Sequence, residues 1–126
     1  MQDQDQLTED QQPAKTYPTT PDAEGFYYEN EGEELLEIAT KMYDNDCYVK
    51  RVVLKKGKVA MVREITGKEL LEAKQPAGKS IELVEPAIAA YSTKIDDVQL
   101  LMPQLLDMKA KDYSRIIHAS NQLNFL

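Results

Sequence analysis

The chain is 126 residues long, the size of one domain, and it carries a formal net charge of −7 with 42% apolar side chains. No stretch approaches the roughly 18 uninterrupted apolar residues of a membrane span, so no membrane partner is expected. One cysteine, Cys47, excludes an internal disulfide. Together with the one histidine, His118, it is too little for a zinc site built from nitrogen and sulfur ligands.

The charge is divided unequally along the chain. Residues 1–46 contain 13 acidic and two basic side chains, whereas residues 47–126 contain nine acidic and 13 basic ones. The first 30 residues also include Pro13, Pro18 and Pro21 and few aliphatic side chains. Such a composition offers too little apolar surface to offset the entropy of ordering the chain. It predicts an acidic, disordered arm over residues 1–30.

The segment after the arm has a helical pattern. Leu35, Ile38, Ala39 and Met42 recur at i, i+3, i+4 and i+7, which places them on one helical face. The acidic first turn suits the positive end of a helix dipole. We therefore assign residues 31–46 to an acidic amphipathic helix and a linker. Two interpretations stay open, since the helix could pack on its own domain or enter a partner's groove.

The middle of the chain predicts a β-hairpin that continues directly into a capped helix. Two apolar, β-branched runs, Tyr48–Leu54 and Val59–Ile65, flank a short turn in which Gly57 can supply a positive φ. Thr66 and Glu69 then have the spacing of a capping box. A lone hairpin is marginal in water, so we expect its apolar face to lie on helices.

The pattern of side chains also predicts the hairpin register. Pairing Leu54 with Val59, and Lys50 with Arg63, collects the apolar residues on one face. The alternative that opposes Leu54 to Lys58 scatters them over both faces. Because a slip of one residue moves side chains to the other face, we predict the first register.

Downstream, the pattern predicts helices over residues 66–74, 80–93 and 110–123, with a short helical turn opened by Pro103. The expected fold class is α+β and α-rich, with an N-terminal β-hairpin packed on a small three- to four-helix bundle after the disordered acidic arm. Residues 47–126 would form this hairpin-plus-helices domain. A core of that size supplies little net stability, which is compatible with self-association.

Six basic side chains form a candidate patch on the hairpin: Lys50, Arg51, Lys55, Lys56, Lys58 and Arg63. The patch could be a solvated strand edge whose lysines discourage aggregation, or a dock for the acidic arm or an acidic partner. The patch could also bind the phosphates of a nucleic acid, although the acidic arm would compete with the nucleic acid for it.

The sequence gives little sign of a catalytic or metal-binding site. The Asp96-Asp97 pair lacks the spacing of an EF-hand, which makes it a turn rather than a cation site. No pattern indicates a nucleophile with its base or a set of metal ligands. We therefore expect no enzymatic activity and no cofactor.

Several short runs follow one another in a fixed order. They are Tyr48–Leu54, Gly57-Lys58, Val62-Arg63-Glu64-Ile65-Thr66-Gly67-Lys68-Glu69-Leu70, Ala73, Ala87–Ala90, Leu100–Met108, Asp112 and Asn124-Phe125. This order resembles that of small phage tail assembly chaperones of the Mu-like and P2-like type. Its parts are a strand pair, an arginine/glutamate step, a Thr-Gly-Lys helix start, an Ala-rich helix, a Leu-rich turn and a final helix. The resemblance covers residues 47–126, and the acidic extension 1–46 has no counterpart in it.

The resemblance implies a non-enzymatic protein of the infected host's cytoplasm. Such chaperones bind the long hydrophobic tape-measure protein while tail-tube subunits polymerise around it, and they leave before the particle is finished. Tail-tube subunits are a second expected partner. Candidate contacts with the client are Leu105, Leu106, Tyr113, Ile116 and Ile117, whose other interpretation is an internal core.

Two other functions remain open at this point. One is a structural tail or baseplate component that stays in the particle. The other is an acidic-armed regulator that binds a basic or nucleic-acid-binding partner.

Overall fold

Five antiparallel strands form the centre of the structure, a computed structural model that describes residues 15–44 and 46–126. Each strand pairs with the strands that precede and follow it in the chain, so the sheet order is β1-β2-β3-β4-β5. The strands are β1 (Ile38–Asp44), β2 (Cys47–Val53), β3 (Val59–Arg63), β4 (Thr93–Ile95) and β5 (Val98–Gln99).

Helices precede, interrupt and follow this sheet. They are α1 (Glu31–Leu36), α2 (Gly67–Ala73), α3 (Val84–Tyr91), α4 (Met102–Leu106) and α5 (Ala110–Asn124), with 3-10 turns at Lys55–Gly57, Gln75–Ala77 and Ile81–Leu83. Helix α5 lies against β2 and β3, and α3 contacts both α4 and α5. Within the described part of the chain, none of these helices has the length and apolarity needed to cross a membrane.

The expected fold class, a hairpin packed on a helix bundle, is wrong because the sheet has five strands rather than two. The predicted amphipathic helix ends at Leu36, where Glu37 adopts a left-handed conformation (φ 59°) and its N–H donates to the carbonyls of Glu33 and Glu34. Such a cap stops a helix. Ile38 and the residues after it pair with β2 instead. Leu35 of the supposed apolar stripe is 73% exposed.

A second hairpin, β4–β5, was also not predicted. Its strands are joined by Asp96 and Asp97, both with positive φ (54° and 64°). Two successive residues of positive φ make the tight turn that suits the twist of antiparallel strands. The turn at these two aspartates is therefore confirmed, and the short strands on either side of it are the correction.

The predicted register of the β2–β3 hairpin is wrong by one residue. The structure pairs Val53 with Val59 and Lys50 with Val62, and the N–H of Leu54 donates to the Lys58 carbonyl at 2.7 Å. A three-residue loop closes the hairpin, with positive φ at two of its positions. The predicted register failed because it was chosen by placing the apolar residues of two strands alone on one face, whereas β1 and β4 extend the sheet on both sides.

One buried apolar layer joins the sheet to the helices. Its members are Ile38, Val52, Leu54, Ala60, Val62, Ala89, Ala90, Leu100, Leu105, Ile116 and Ala119. The small alanines of α3 and α5 let these helices approach the sheet and each other closely, which close packing requires.

Polar contacts attach α5 to the hairpin along its whole length. The Asp112 carboxylate accepts from the Lys55 N–H at 3.1 Å. The Arg115 guanidinium donates to the Val53 carbonyl at 3.0 Å. Near the end of the helix, Asn124 Oδ1 accepts from the Ile65 N–H at 2.9 Å. These bonds satisfy backbone groups at the end of β2, in the hairpin turn and just after β3, so they fix where α5 lies.

The capping box at the start of α2 is confirmed. The Thr66 side chain accepts from the Glu69 N–H at 3.2 Å, and Glu69 Oε1 accepts from the Thr66 N–H at 3.0 Å. Glu69 also pairs with Arg63 through Oε2 at 3.1 Å. The junction between hairpin and helix is thereby fixed by local contacts.

The arm needs a second correction. Residues 1–14 of the predicted disordered arm lie outside the described residues, so disorder in that part stays a prediction. Residues 22–33, which we call the acidic strap, lie across β1 and β2 with defined contacts. The composition of the arm underestimated this order because the strap is held by cations of the sheet and by the one buried ring of Phe26.

The observed register makes a direct prediction about two neighbouring residues. Val62 is fully buried and Met61 is half-buried on the other face. We expect Val62→Ala to lower the free energy of unfolding by about 1–3 kcal/mol, and Met61→Ala to cost less than Val62→Ala although it removes more atoms. Urea denaturation measures both. A larger loss for Met61→Ala would favour the register that the structure rejects.

Candidate functional site

The five candidate client contacts do not form one exposed surface. Leu105 and Ile116 are fully buried in the core, and Tyr113 and Ile117 are half-buried against it. Leu106 is 44% exposed. The structure therefore gives most of this set an internal position, and a surface for a client has to be found elsewhere.

An apolar groove lies between α3 and the end of α5. Its volume is about 560 Å³, and its lining residues are Lys74, Ile81, Val84, Glu85, Ile88, Asn121, Phe125 and Leu126. Asn121 Nδ2 donates to Glu85 Oε2 at 2.8 Å, which holds the two helices together at the rim. Ile81 is 85% exposed and Phe125 is 51% exposed. Neighbouring exposed apolar side chains of this kind typically mark an interaction site.

The geometry of this groove suits a helix better than a small molecule. Its apolar side chains come from α3, from the 3-10 turn before it and from the end of α5, and it is open along one side. A partner helix can place residues of one face, spaced at i, i+3, i+4 and i+7, in such a groove. The charged groups at the rim, Lys74 and Glu85, carry opposite signs.

The six residues of the candidate basic patch do not act as one patch either. Lys55, Lys56 and Lys58 are exposed in the hairpin turn. Lys50 faces the opposite way and is buried, while Arg51 and Arg63 are each paired with carboxylates. The high local charge in the sequence is thus divided among three separate environments.

Lys50 is the most unusual member of the set, because its side chain is 2% exposed. Its Nζ donates to Glu29 Oε1 at 2.7 Å, to Glu33 Oε2 at 2.8 Å and to Thr40 Oγ1 at 2.9 Å. The two carboxylates come from the acidic strap, and the hydroxyl comes from β1. A buried ammonium needs such a complete set of acceptors, since burying an unpaired charge is very costly.

The pKa values of the two carboxyl groups in this cluster shift in opposite directions. Burial raises the pKa of Glu33, whose Oε1 has no hydrogen-bond partner among the described residues. Burial also acts to raise the pKa of Glu29, but the hydrogen bond and charge of Lys50 outweigh it and the pKa is lowered. Of the two side chains, Glu29 therefore stays negatively charged to the lower pH.

Arg51 forms the second anchor of the strap. Its guanidinium lies 3.1 Å from Glu24 Oε1 and 3.3 Å from Asp22 Oδ2, and its central carbon is 4.3 Å from the ring centre of Phe26. Hydrogen bonds from the backbone N–H groups of Phe26 and Glu24, together with Arg51, hold the pKa of Asp22 below its usual value. Two carboxylates and an aromatic ring thus bind the same arginine side chain.

A backbone bridge completes the attachment. The Tyr27 N–H donates to the Thr40 carbonyl at 2.9 Å, and the Thr40 N–H donates to the Tyr27 carbonyl at 2.7 Å. These bonds cover the outer edge of β1 at that point, which protects an otherwise open strand edge. The sequence could not predict this pairing, because Tyr27 and Thr40 lie 13 residues apart and no local pattern links them.

The described residues contain no group of three or more potential metal ligands from His, Cys, Asp and Glu. Cys47, which starts β2, is exposed rather than buried as a hydrophobic residue would be. No family model, no curated protein and no solved structure matches the chain. The site therefore has to be interpreted from its own geometry.

Acidification should release the strap before it unfolds the sheet. The pKa values of Asp22 and Glu29 are lower in the folded state, so their contribution is complete above about pH 5 and is lost as the pH falls through the folded pKa values. Glu33 opposes this trend, because a raised pKa favours protonation in the folded state. We expect the net result to follow the two lowered groups.

Hydrogen exchange measures this release directly. Between about pH 5 and pH 3, the protection factors of the Tyr27 and Thr40 amides should fall relative to that of Val62 in the centre of the sheet. A constant ratio over this range would show that the strap is not held by its carboxylates.

Proposed function

We propose that this protein is a non-enzymatic phage tail assembly chaperone that binds the tape-measure protein during tail morphogenesis in the cytoplasm of the infected host. The proposal rests on two supports. One is the resemblance of residues 47–126 to small Mu-like and P2-like tail assembly chaperones. The other is the apolar groove between α3 and α5.

The residues that carry the resemblance have connected roles in the fold. Thr66 and Glu69 cap α2, and Glu69 pairs with Arg63 at the end of β3. Asp112 and Asn124 attach the two ends of α5 to the hairpin. Motifs that are distant in the sequence therefore meet in one structural unit, which supports the view that they belong to one common pattern.

The observation that carries the proposal is the exposed apolar lining of the groove. Ile81 and Phe125 present large side chains to solvent where α3, the turn before it and the end of α5 meet. A helical client that is prone to aggregate would bury its own apolar stripe there. Binding of this kind needs complementary apolar surface and no reacting group. We assign the groove to the tape-measure protein, and tail-tube subunits remain a second proposed partner.

The groove replaces the client surface expected from the sequence. Leu105 of α4 and Ile116 of α5 support it indirectly, because they attach these two helices to the core. Ile81, Val84 and Phe125 are the residues that the client would contact. A chaperone that lets go of its client also needs a contact of limited size, and an open groove provides one.

Co-expression with the tape-measure protein of the same phage genome tests the proposal. The tape-measure protein should be recovered in soluble form and should co-purify with the wild-type chain. The double variant Ile81→Asp/Phe125→Asp should reduce this recovery about tenfold, because it places two charges in the apolar groove.

The matched control is Leu35→Asp/Leu101→Asp, which changes two exposed leucines outside the groove lining. It should co-purify as the wild type does. Circular dichroism of both variants should match that of the wild type, which checks that they are folded. Equal recovery with the groove variant would remove the groove as the client site, and no recovery with the wild type would contradict the proposed function.

A further inference from the structure

The face of the sheet that points away from α5 carries four cations. Lys41 on β1 and Arg63 on β3 both pair with Val49 on β2, while Arg51 and Lys94 both pair with Met61 on β3. Residues that pair directly across strands lie on the same face. Lys50, Val52, Ala60 and Val62 occupy the other, buried face. We call the solvent side the cationic face.

A shallow cavity of about 360 Å³ lies between these cations. Its apolar lining is Phe26, Tyr43, Val49 and Met61, and its basic lining is Lys41, Arg63 and Lys94. Ser92 and Asp97 complete it. An apolar floor with cations at the rim suits a ligand that combines negative charge with an apolar side chain.

The acidic strap already shows how this face recognises such a ligand. At Arg51, the carboxylates of Asp22 and Glu24 pair with the guanidinium, while the Phe26 ring lies against it. Residues 22–26, an acidic segment with one aromatic residue, are thus bound to one half of the face. The recognition chemistry is present in the chain itself.

On the other half of the face, the Phe26 ring already lies 5.5 Å from Lys41 Nζ, but no described carboxylate pairs there as Asp22 and Glu24 do at Arg51. Among the residues that the structure describes, no carboxylate forms an ion pair with Lys41 or Lys94. Lys94 is exposed, and Met61 beside it is half-buried. Arg63 is already paired with Glu69. Two cations with an apolar floor between them therefore remain available.

We propose that the cationic face binds an acidic peptide segment of a partner protein, with carboxylates at Lys41 and Lys94 and an apolar side chain in the cavity over Met61. Three strand spacings separate β1 from β4, about 14 Å. An extended segment of about five residues spans this distance. The segment would continue the contacts that the strap makes at Arg51.

The apolar floor favours a peptide over a nucleic acid. A phosphate backbone gains affinity from cations but not from Val49 and Met61, whereas a peptide side chain is stabilised by removing such surface from water. The strap also places Asp22 and Glu24 beside the face, where they repel a polyanion more than a short segment with a few charges. This site is separate from the groove and does not rest on the proposed function.

The test uses the full chain and a fluorescein-labelled heptapeptide in which a phenylalanine is flanked on each side by a glycine and two acidic residues. Fluorescence anisotropy gives the affinity. Lys41→Gln/Lys94→Gln should weaken binding about fivefold or more, as expected for two lost exposed ion pairs. Replacing the phenylalanine of the peptide by serine should also weaken binding.

Lys55→Gln/Lys58→Gln is the matched control, since it removes the same charge from the hairpin turn. It should bind the peptide as the wild type does. In the wild-type protein, addition of peptide should shift the amide resonances of Lys41, Met61 and Lys94, which tests the site without any substitution. Equal losses in both variants, or shifts elsewhere, would overturn the proposal. Tighter binding of a single-stranded oligonucleotide that displaces the peptide would overturn it in favour of nucleic acid.

Discussion

A lysine buried in the sheet determines how the N-terminal part of this protein is placed. Lys50 lies on the core face of β2, and its ammonium would be intolerable there without acceptors. Glu29 and Glu33 of the acidic strap provide them, together with Thr40 of β1. Because the strap is bridged to the outer edge of β1 at Thr40, its carboxylates reach past β1 to the lysine on β2. The buried charge thus links the strap, β1 and β2 into one unit, and such a link specifies one arrangement rather than adding much net stability.

The same arrangement separates the surfaces of the molecule. The strap uses its carboxylates on Lys50 and Arg51, so four of the 13 acidic side chains of residues 1–46 are paired with two cations of β2. Helix α5 covers the core face of the sheet and leaves the apolar groove at its end. The cationic face lies on the other side of the sheet. The proposed client site and the proposed peptide site therefore depend on different elements, and each can be altered alone.

Features set by neighbouring residues could be predicted from the sequence, and features set by distant ones could not. The capping box of Thr66 and Glu69, the two strands around Gly57 and helix α5 follow from spacing within a few residues. Strand β1 was missed because Ile38 and Met42 also fit a helical period, and only pairing with β2 decides between the two. The hairpin register failed for the same reason. Of the candidate site residues, the basic set lies on the hairpin as expected. Its division between buried, ion-paired and exposed positions depends on distant carboxylates such as Glu29 and Glu33, which no local pattern connects to Lys50.

A double-mutant cycle on Lys50 and Glu33 tests the central claim most directly. Lys50→Met leaves Glu33 buried without its partner, so it should lower the free energy of unfolding by about 3 kcal/mol or more. Adding Glu33→Met removes the orphaned carboxylate, and the double variant should regain most of that loss. Urea denaturation of the wild type, both single variants and the double variant gives the coupling energy. If the two losses simply add, or if Lys50→Met costs nothing, the buried charge does not hold the strap to the sheet.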